Sequence, residues 1–347
     1  MVAVFFVVKS RSTDENPVPV VSDGYFMEVF ARDLDDPRVI AFDAKGRMLI
    51  SETDAGRVTI VSPERRILLE GLDNPHGLAF YTDKKNTTYL YIATVREVAR
   101  YVYNSETGTI DISTKKNIMN LPAGGDRVVR TIGFGKDFRD APLVKGLPRG
   151  SFLSAIKLYA SIGSSCDACL ENTWKYAAIL EADWDGTYTA EVAGGLRDVE
   201  FFTFHPTTGA LWATEQSRKG FSDEINIIKP TLKYGWPYCY GAQKRDESFT
   251  QKTDRTDLPM DCTKTELPVA ELPSDMDPRG IAFLSPTELL VATRKKIIKI
   301  TFDAKGQLVR FDDFITSIQA TDLKLENGIL YISDDNAGII YKVSPIS

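Results

Sequence analysis

Residues 75–98 read PHGLAFYTDKKNTTYLYIATVREV: an apolar strand entered through a proline and a histidine, a polar turn, and a second apolar strand. The same pattern occurs six times along the chain. Its copies begin PRVIAF (37–42), PHGLAF (75–80), VRTIGF (129–134), VEFFTF (199–204), PRGIAF (278–283) and ATDLKL (320–325). Repeats of short strands and turns are typical of β-propellers, in which each repeat forms one blade. We therefore predict an all-β fold with very little helix: a six-bladed β-propeller with four-stranded antiparallel blades around a central channel.

The repeats predict one domain, because blades must close into a single ring to bury their faces. We assign residues 24–347 to this domain and residues 1–23 to an N-terminal segment. In that segment the apolar run of residues 2–8 is too short to span a bilayer. It is interpreted as the trimmed end of a signal peptide or membrane anchor, or as a strand. The polar residues 9–22 are predicted to be a linker.

The charge of the chain excludes one class of partner. The net charge is −6 and the isoelectric point is about 5.2. Nucleic-acid binding needs a basic surface, so we expect no nucleic-acid partner. Contact with a membrane is expected only if the N-terminal segment is an anchor.

The four cysteines indicate the compartment. Cys166 and Cys169 form a C-x2-C motif, whereas Cys239 and Cys262 flank a polar loop. A zinc site usually needs four ligands in paired motifs, and the second pair lacks that spacing. The even count favours two disulfides, Cys166–Cys169 and Cys239–Cys262, over free thiols. Disulfides persist in oxidising compartments, which predicts an exported protein, extracellular or periplasmic.

Alignment of the six copies on the residue that enters the strand gives a column of candidate channel residues. The column reads Arg38, His76, Arg130, Glu200, Arg279 and Thr321. Clustered arginines repel one another unless an anion answers them. One interpretation is therefore a polyanionic ligand with several carboxylates. The other is that the arginines pair with neighbouring acids, namely Asp36, Asp126 and Asp277, and the sequence leaves both open.

His76 is the candidate for proton transfer, because the pKa of an imidazole lies near neutrality. A lone histidine is also often structural, and it is the position of His76 in the arginine-rich column that favours catalysis. A second candidate site lies in blade four, where Glu215, Asp223 and Glu224 are close to the YGWP turn of residues 234–237. Carboxylates and backbone carbonyls suit calcium, although a solvated acidic loop has the same composition.

Four motifs in blade four carry a family resemblance. They are GLRD (195–198), ATEQS (213–217), DEINII (223–228) and YGWP (234–237). With PHGLAF around His76, they resemble the soluble glucose and sorbosone dehydrogenases that depend on pyrroloquinoline quinone (PQQ). The resemblance extends over about residues 25–343. It implies a PQQ- and calcium-dependent oxidoreductase that oxidises an aldose or related alcohol by hydride transfer to the quinone, with an electron acceptor of unknown identity.

The resemblance also implies roles for individual residues. His76 would be the general base. The residues that would contact the three carboxylates and the quinone of PQQ are Arg130, Arg197, Asp198, Gln216, Arg279 and Arg294. Backbone carbonyls at the positions after A-T-E, which are Gln216, Ser217 and Arg218, would hold a calcium ion beside the quinone. Glu224 and the carbonyl of Tyr234 would hold a second, structural calcium ion.

Two positions depart from the family pattern, since Asp198 replaces an asparagine and Ser217 replaces a glycine. Asp198 adds negative charge where an anionic cofactor would bind. This favours an alternative in which the same face of a non-catalytic propeller binds a glycan or a protein. A third hypothesis is a metal-dependent hydrolase, which would need Glu52, Glu200 and Glu215 to converge on the channel.

Overall fold

The apolar runs of the repeats form strands in a computed structural model that describes residues 18–125, 127–137, 156–253 and 260–346. The strands assemble into six antiparallel blades arranged in a ring, which confirms the predicted propeller. The described residues contain no α-helix and one short 3₁₀ turn, Cys262–Lys264. Within these ranges no helix has the length and hydrophobicity that crossing a bilayer requires.

The strands follow the chain in blade order. The first two are β1 (Val20–Val21) and β2 (Tyr25–Ala31). Blade one contains β3 (Pro37–Phe42), β4 (Met48–Glu52), β5 (Arg57–Ser62) and β6 (Arg66–Leu69). Blade two contains β7 (Leu78–Thr82), β8 (Thr88–Ala93), β9 (Glu97–Asn104) and β10 (Thr109–Asn120). Blade three contains β11 (Ile132–Lys136), β12 (Ile156–Ile162), β13 (Ala178–Ala182) and β14 (Thr189–Gly194).

The second half of the ring continues in the same way. Blade four contains β15 (Phe202–Phe204), β16 (Leu211–Glu215), β17 (Asp223–Ile228) and β20 (Ala270–Leu272), with the hairpin β18 (Cys239–Tyr240) and β19 (Lys244–Arg245) inserted before its last strand. Blade five contains β21 (Ile281–Ser285), β22 (Glu288–Ala292), β23 (Lys296–Phe302) and β24 (Leu308–Thr316). Blade six contains β25 (Leu323–Glu326), β26 (Ile329–Asp334) and β27 (Ile339–Pro345).

The first strand of each blade lies innermost and lines the central channel. A cavity of about 250 Å³ lies between these strands, with lining residues from all six blades. They include Val39, Leu78, Ile132, Phe202, Ile281 and Leu323. We call the face of the ring at which these innermost strands begin the upper face. Because neighbouring strands are antiparallel, the loops between the second and third strands of every blade lie on the same face.

The N-terminal strands close the ring. β2 pairs with β27, with Tyr25 opposite Pro345, and so supplies the fourth strand of blade six. β1 pairs with the end of β24 and adds a fifth strand to blade five. β1 lies within the stretch that the sequence assigns to a linker, whereas residues 2–8 lie outside the described residues. A buried carboxylate adds to the closure, because Asp322 of blade six accepts a hydrogen bond of 2.9 Å from Ile40 N of blade one.

Glycine after the column residue allows adjacent blades to pack closely. A Cβ at Gly77 would lie 2.5 Å from Arg130 O and 2.8 Å from Ile132 N. At Gly280 it would lie 2.7 Å from Thr321 O. The PHG and PRG motifs therefore mark places where one blade approaches the backbone of the next too closely for any side chain.

Both predicted disulfides are present, Cys166–Cys169 and Cys239–Cys262. The second lies in the insertion of blade four and packs with Tyr238 and Phe249 against Ala168 in the loop of the first. The insertion thus covers the disulfide loop of blade three, and both lie beside the upper ends of blades three and four.

Candidate functional site

The column residues lie together at the upper face, each at or next to the start of an innermost strand. A hydroxyl group of the preceding blade fixes the backbone of several of them. The bonds run from Thr131 Oγ1 to Glu200 O at 2.5 Å, from Thr214 Oγ1 to Arg279 O at 2.9 Å, and from Ser333 Oγ to Arg38 O at 2.7 Å. These contacts hold the column at one depth in the channel, as the alignment of the repeats predicts.

All six column side chains carry a buried polar atom without a hydrogen-bond partner. The atoms are Arg38 Nε, His76 Nδ1 and Nε2, Arg130 Nε, Glu200 Oε2, Arg279 Nε and Thr321 Oγ1. Buried polar atoms in proteins are nearly always paired, because an unpaired one costs its full desolvation energy. Such atoms on every blade of one ring indicate a place for a polar ligand.

Neighbouring acids pair with only some of the guanidinium nitrogens of these arginines. Arg279 lies 3.4 Å from Asp277 and 3.3 Å from Asp335, and Arg38 lies 3.9 Å from Asp335. Pairing with acids, one of the two interpretations of the column, therefore holds for the Nη groups of Arg38 and Arg279, while the Nε groups stay unpaired. Asp126, a further predicted partner, lies outside the described residues.

Arg130 is the most buried of these arginines, with no exposed surface. Its Nη groups donate to the backbone carbonyls of Pro122, Arg127 and Val129 at 2.8–3.0 Å. Burial lowers the pKa of Arg130 to about 10, so its charge persists at neutral pH. The side chain therefore adds a fixed positive charge to the channel.

His76 is 2% exposed, and its backbone N–H donates to Ala93 O at 2.8 Å. Burial, together with the positive charges of Arg38 and Arg130, lowers the pKa of His76 to about 3. The imidazole is therefore neutral at neutral pH, and one of its two unpartnered ring nitrogens is a proton acceptor.

Asp198 and Glu200 add acid groups to the same opening. Burial and the charge of Glu200 raise the pKa of Asp198, although Arg127 at 3.2 Å opposes this. Burial likewise raises the pKa of Glu200. Both groups thus hold a proton more readily than ordinary carboxyls, which reduces the negative charge that an anionic ligand would meet.

Arg197 makes an extended set of contacts in blade four. Its Nη1 donates to Gln216 O and Ser217 O at 3.0 Å each, and its Nη2 donates to Asp167 Oδ1 at 2.7 Å. The carbonyl of Ser217, predicted to bind calcium, therefore has a guanidinium as its partner. The side chain of Arg218 lies 2.7 Å from Asp167 and 2.7 Å from Asp246.

The remaining predicted cofactor residues converge on one acid. Asp277 Oδ1 accepts a hydrogen bond of 2.8 Å from Gln216 Nε2. Asp277 Oδ2 lies 3.0 Å from the guanidinium of Arg294, which is 64% exposed, and 3.4 Å from that of Arg279. The structure thus brings these three residues together at the junction of blades four and five.

Three glutamates lie side by side across blade four, and we call this set the glutamate rung: Glu215, Glu224 and Glu271. Glu224 is opposite both of the others in the strand register. Asn226 Nδ2 donates at 3.0 Å to Glu215 Oε2 and to Glu224 Oε2, whereas the buried Asn226 Oδ1 has no partner. Burial and the adjacent carboxylate raise the pKa of Glu215.

The geometry around Glu224 suits a cation. Burial raises the pKa of its carboxyl, although hydrogen bonds from Asn226 and from Gly241 N oppose the shift. Tyr234 is buried nearby, with its phenol donating to Ile227 O at 2.7 Å. Carboxylates opposite one another are destabilising unless a proton or a cation lies between them. Carboxylate and amide oxygens are ligands that calcium prefers.

Two of these residues were missed in the sequence. Asn226 follows Glu224 by two positions in a strand, which places both side chains on one face, and that signal was available. Asp167 lies between the cysteines of the C-x2-C motif, and nothing in its sequence context indicates that it contacts Arg197 and Arg218.

The glutamates required for a hydrolase do not converge. Glu52 is buried against Arg57, while Glu215 belongs to the glutamate rung. In the described part of the chain, the one set of three or more His, Cys, Asp or Glu side chains close enough to share an ion is Cys166, Cys169 and Glu171. Its cysteines are joined in a disulfide, so the metal-dependent hydrolase hypothesis has no support.

The sequence of the chain matches two family models and a known enzyme. Residues 19–233 match the family model described as TrAA12-like, and residues 186–283 match the one described as Glucose / Sorbosone dehydrogenase. A pyrroloquinoline quinone-dependent sugar dehydrogenase from Hypocrea jecorina is 24% identical over 336 residues, covering 84% of this chain and 75% of that protein. These matches confirm the resemblance predicted from the blade-four motifs.

Solved structures show the same fold. A calcium structure of the Trichoderma reesei Carbohydrate-Active Enzymes Family AA12 has a TM-score of 0.77 and 19% identity, covering 96% of this chain and 98% of that one. The holo form of the pyranose dehydrogenase PQQ domain from Coprinopsis cinerea has a TM-score of 0.71 and 14% identity, covering 94% and 97%.

Proposed function

The chain belongs to the TrAA12-like family, and from that premise we propose that it is an oxidoreductase that uses PQQ to oxidise an aldose or a related alcohol. The observation that carries the proposal is the ring of unpartnered polar atoms on all six column residues. PQQ carries three carboxylates, which match the unpaired N–H groups of Arg38, Arg130 and Arg279. The raised pKa values of Asp198 and Glu200 allow these acids to be neutral or to donate hydrogen bonds beside an anion.

In the proposed reaction, the cofactor and His76 at the upper face have separate roles. Bound PQQ would supply a quinone as the acceptor for the hydride from the carbon that bears the substrate hydroxyl. His76 accepts the hydroxyl proton at a ring nitrogen, which its lowered pKa keeps unprotonated at neutral pH. Carboxylates of a bound ligand beside Arg38 and Arg130 would offset the charges that help to depress this pKa, which makes the imidazole a stronger base when the site is filled.

Calcium fits one of its two predicted sites. At the glutamate rung, two carboxylates and the unpartnered Asn226 Oδ1 provide hard oxygen ligands. We propose a structural calcium ion there, bound by Glu215, Glu224 and Asn226 together with the carbonyl of Tyr234. The carbonyls of Gln216 and Ser217 do not fit a second ion, because Arg197 donates to both.

The proposal extends to the setting of the reaction. Two disulfides support export to an oxidising compartment, extracellular or periplasmic. A quinone reduced by a sugar must be reoxidised, so the cycle requires an electron acceptor that meets the upper face.

The test is to add PQQ and calcium to the purified protein. We expect the PQQ absorbance to shift on binding, and a redox dye to be reduced when aldoses are supplied. A panel of aldoses, sorbosone and simple alcohols then defines the substrate class. Failure to bind PQQ, combined with binding to a glycan array or to a protein partner, would replace the proposal with the non-catalytic alternative.

A further inference from the structure

The cofactor-side calcium implied by the resemblance needs the backbone carbonyls that follow the A-T-E motif. In this chain both Gln216 O and Ser217 O accept hydrogen bonds of 3.0 Å from Nη1 of Arg197. Calcium binds oxygen ligands at about 2.3–2.6 Å, so an ion between these two oxygens needs the space that the guanidinium nitrogen fills. A doubly charged ion so close to a guanidinium is also strongly repelled.

The guanidinium of Arg197 is fixed from its other side by the disulfide loop. Its Nε donates to Asp167 O at 3.2 Å and its Nη2 donates to Asp167 Oδ1 at 2.7 Å. Trp236 Nε1 holds the same Asp167 carbonyl at 3.3 Å, and Cys166–Cys169 closes the loop around Asp167. Arg197 cannot leave the two carbonyls without breaking these contacts as well.

Three arginines surround the carboxylate that fixes Arg197. Arg218 lies 2.7 Å from Asp167, and Arg127 lies 3.7 Å from it, so one carboxylate is shared by three arginines. The glutamate rung shows the opposite arrangement, because the hydrogen bonds to Glu215 and Glu224 come from neutral N–H groups. A cation at the rung thus meets carboxylates that have no cationic partner, whereas an ion at Gln216 O and Ser217 O meets the guanidinium of Arg197.

We propose that the guanidinium of Arg197 takes the place of the cofactor-side calcium in this chain, so that PQQ binds without a metal ion at Gln216 and Ser217. The inference rests on the proposed function. A guanidinium has five N–H groups. Four of the N–H groups of Arg197 already donate hydrogen bonds: one on Nε, two on Nη1 and one on Nη2. The second N–H of Nη2 is left to donate to an oxygen of the cofactor.

The first experiment counts calcium ions without any cofactor, by equilibrium dialysis against calcium alone. The Glu224→Gln variant disables the rung, so any ion that remains lies elsewhere. We expect no calcium in Glu224→Gln and one equivalent in Glu224→Gln combined with Arg197→Met, which frees both carbonyls while keeping an unbranched side chain. Glu224→Gln combined with Arg218→Ala removes an equal charge beside Asp167 but leaves Arg197 in place, and it should bind none.

The second experiment titrates PQQ with calcium chelated and with about 1 mM calcium. The affinity of the wild type should change by less than about twofold, whereas that of Arg197→Met should rise about tenfold or more with calcium. Equal calcium counts with and without Arg197, or a wild-type affinity that rises tenfold with calcium, would overturn the inference. If no form binds PQQ, the proposed function fails, and the calcium count alone decides the role of Arg197.

Discussion

The imidazole of His76 is the residue on which the proposed reaction depends. His76→Gln keeps a polar side chain of similar size but removes the proton acceptor. A positioned base contributes roughly 10²–10⁴-fold, so the rate of dye reduction should fall by that factor. The affinity for PQQ should be unchanged, since no cofactor contact is removed.

The matched control for this substitution is His205→Gln. His205 lies in an outer turn, where its Nε2 is 2.9 Å from Pro286 O, and it is remote from the upper face. The rate should survive this change. A His76→Gln variant that retained the wild-type rate would assign the base to another group.

The buried acids make stability depend on pH. Burial raises the pKa of Asp36, Asp223, Asp322 and Asp334 to about 6. Their contribution is full below the unfolded-state pKa of about 4 and is lost as pH rises through about 6. His76 acts in the opposite direction, since its contribution is lost as pH falls from about 6.5 towards about 3.

Four carboxyls outweigh one imidazole, so the metal-free protein should melt at a higher temperature at about pH 5 than at about pH 8. Calorimetry across this range measures the slope. Asp36→Asn should make the slope shallower, and asparagine tolerates the positive φ of 51° at this position. A melting temperature that rises steadily from pH 5 to pH 8 would contradict the prediction.

At the residue scale, the sequence predicted the column and its acid partner Asp277, but not the contacts of Asp167 and Asp335. The column follows from the repeat, because equivalent positions in successive blades lie at equal depth. Asp167 depends on how a disulfide loop folds over the neighbouring blade, and Asp335 depends on which side chain of an exposed loop turns inward. Neither has a periodic signal.

At the element scale, the glutamate rung is expected to bind calcium. A ligand that binds only the folded state stabilises it by about 2.7 kcal/mol at one hundred times its Kd. Added calcium should therefore raise the melting temperature of the wild type and not that of Glu224→Gln. Thermal melts with excess chelator and with calcium provide the measurement.

Glu271→Gln serves as the control on the same rung. The side chain of Glu271 accepts a hydrogen bond of 3.0 Å from Ala242 N and lies 3.4 Å from Lys244. Its negative charge is therefore already paired with a cation. The response to calcium should persist in this variant. Identical melting curves for the wild type with and without calcium would remove the site.

The sequence gives only part of this rung. The spacing of Glu224 and Asn226 places both on one face of a strand, and the motif match indicated a metal. The pairing with Glu271 could not be predicted, because the long insertion of blade four separates β17 from β20 and hides their register.

At the scale of the whole molecule, the contact between blades six and one should limit stability. Asp322→Ala leaves the buried N–H of Ile40 without its acceptor. The free energy of unfolding should fall by about 1–3 kcal/mol, the usual cost of a buried unsatisfied donor. Denaturant unfolding measures it, with Asp312→Ala, at a partly exposed position on an outer strand, as the control expected to change little.

The ring itself was predictable because six copies of one pattern leave few other architectures. The strand β1 was not, since Val20–Val21 is too short to show an alternation of polar and apolar residues. β1 lies on blade five because the strand that follows it, β2, belongs to blade six. The position of β1 thus depends on how the ring closes and not on its local sequence.

Closure by β2 and β27 has a consequence for biosynthesis. Tyr25 pairs with Pro345, so β2 is synthesised long before its partner β27. It therefore stays unpaired until nearly the whole propeller has been translated. During that interval, a strand carrying Tyr25, Phe26 and Phe30 has an open edge, the kind of surface that drives aggregation of nascent chains. A chaperone that shields β2 until translation reaches Pro345 would therefore raise the yield of folded protein more than one that acts on the finished chain.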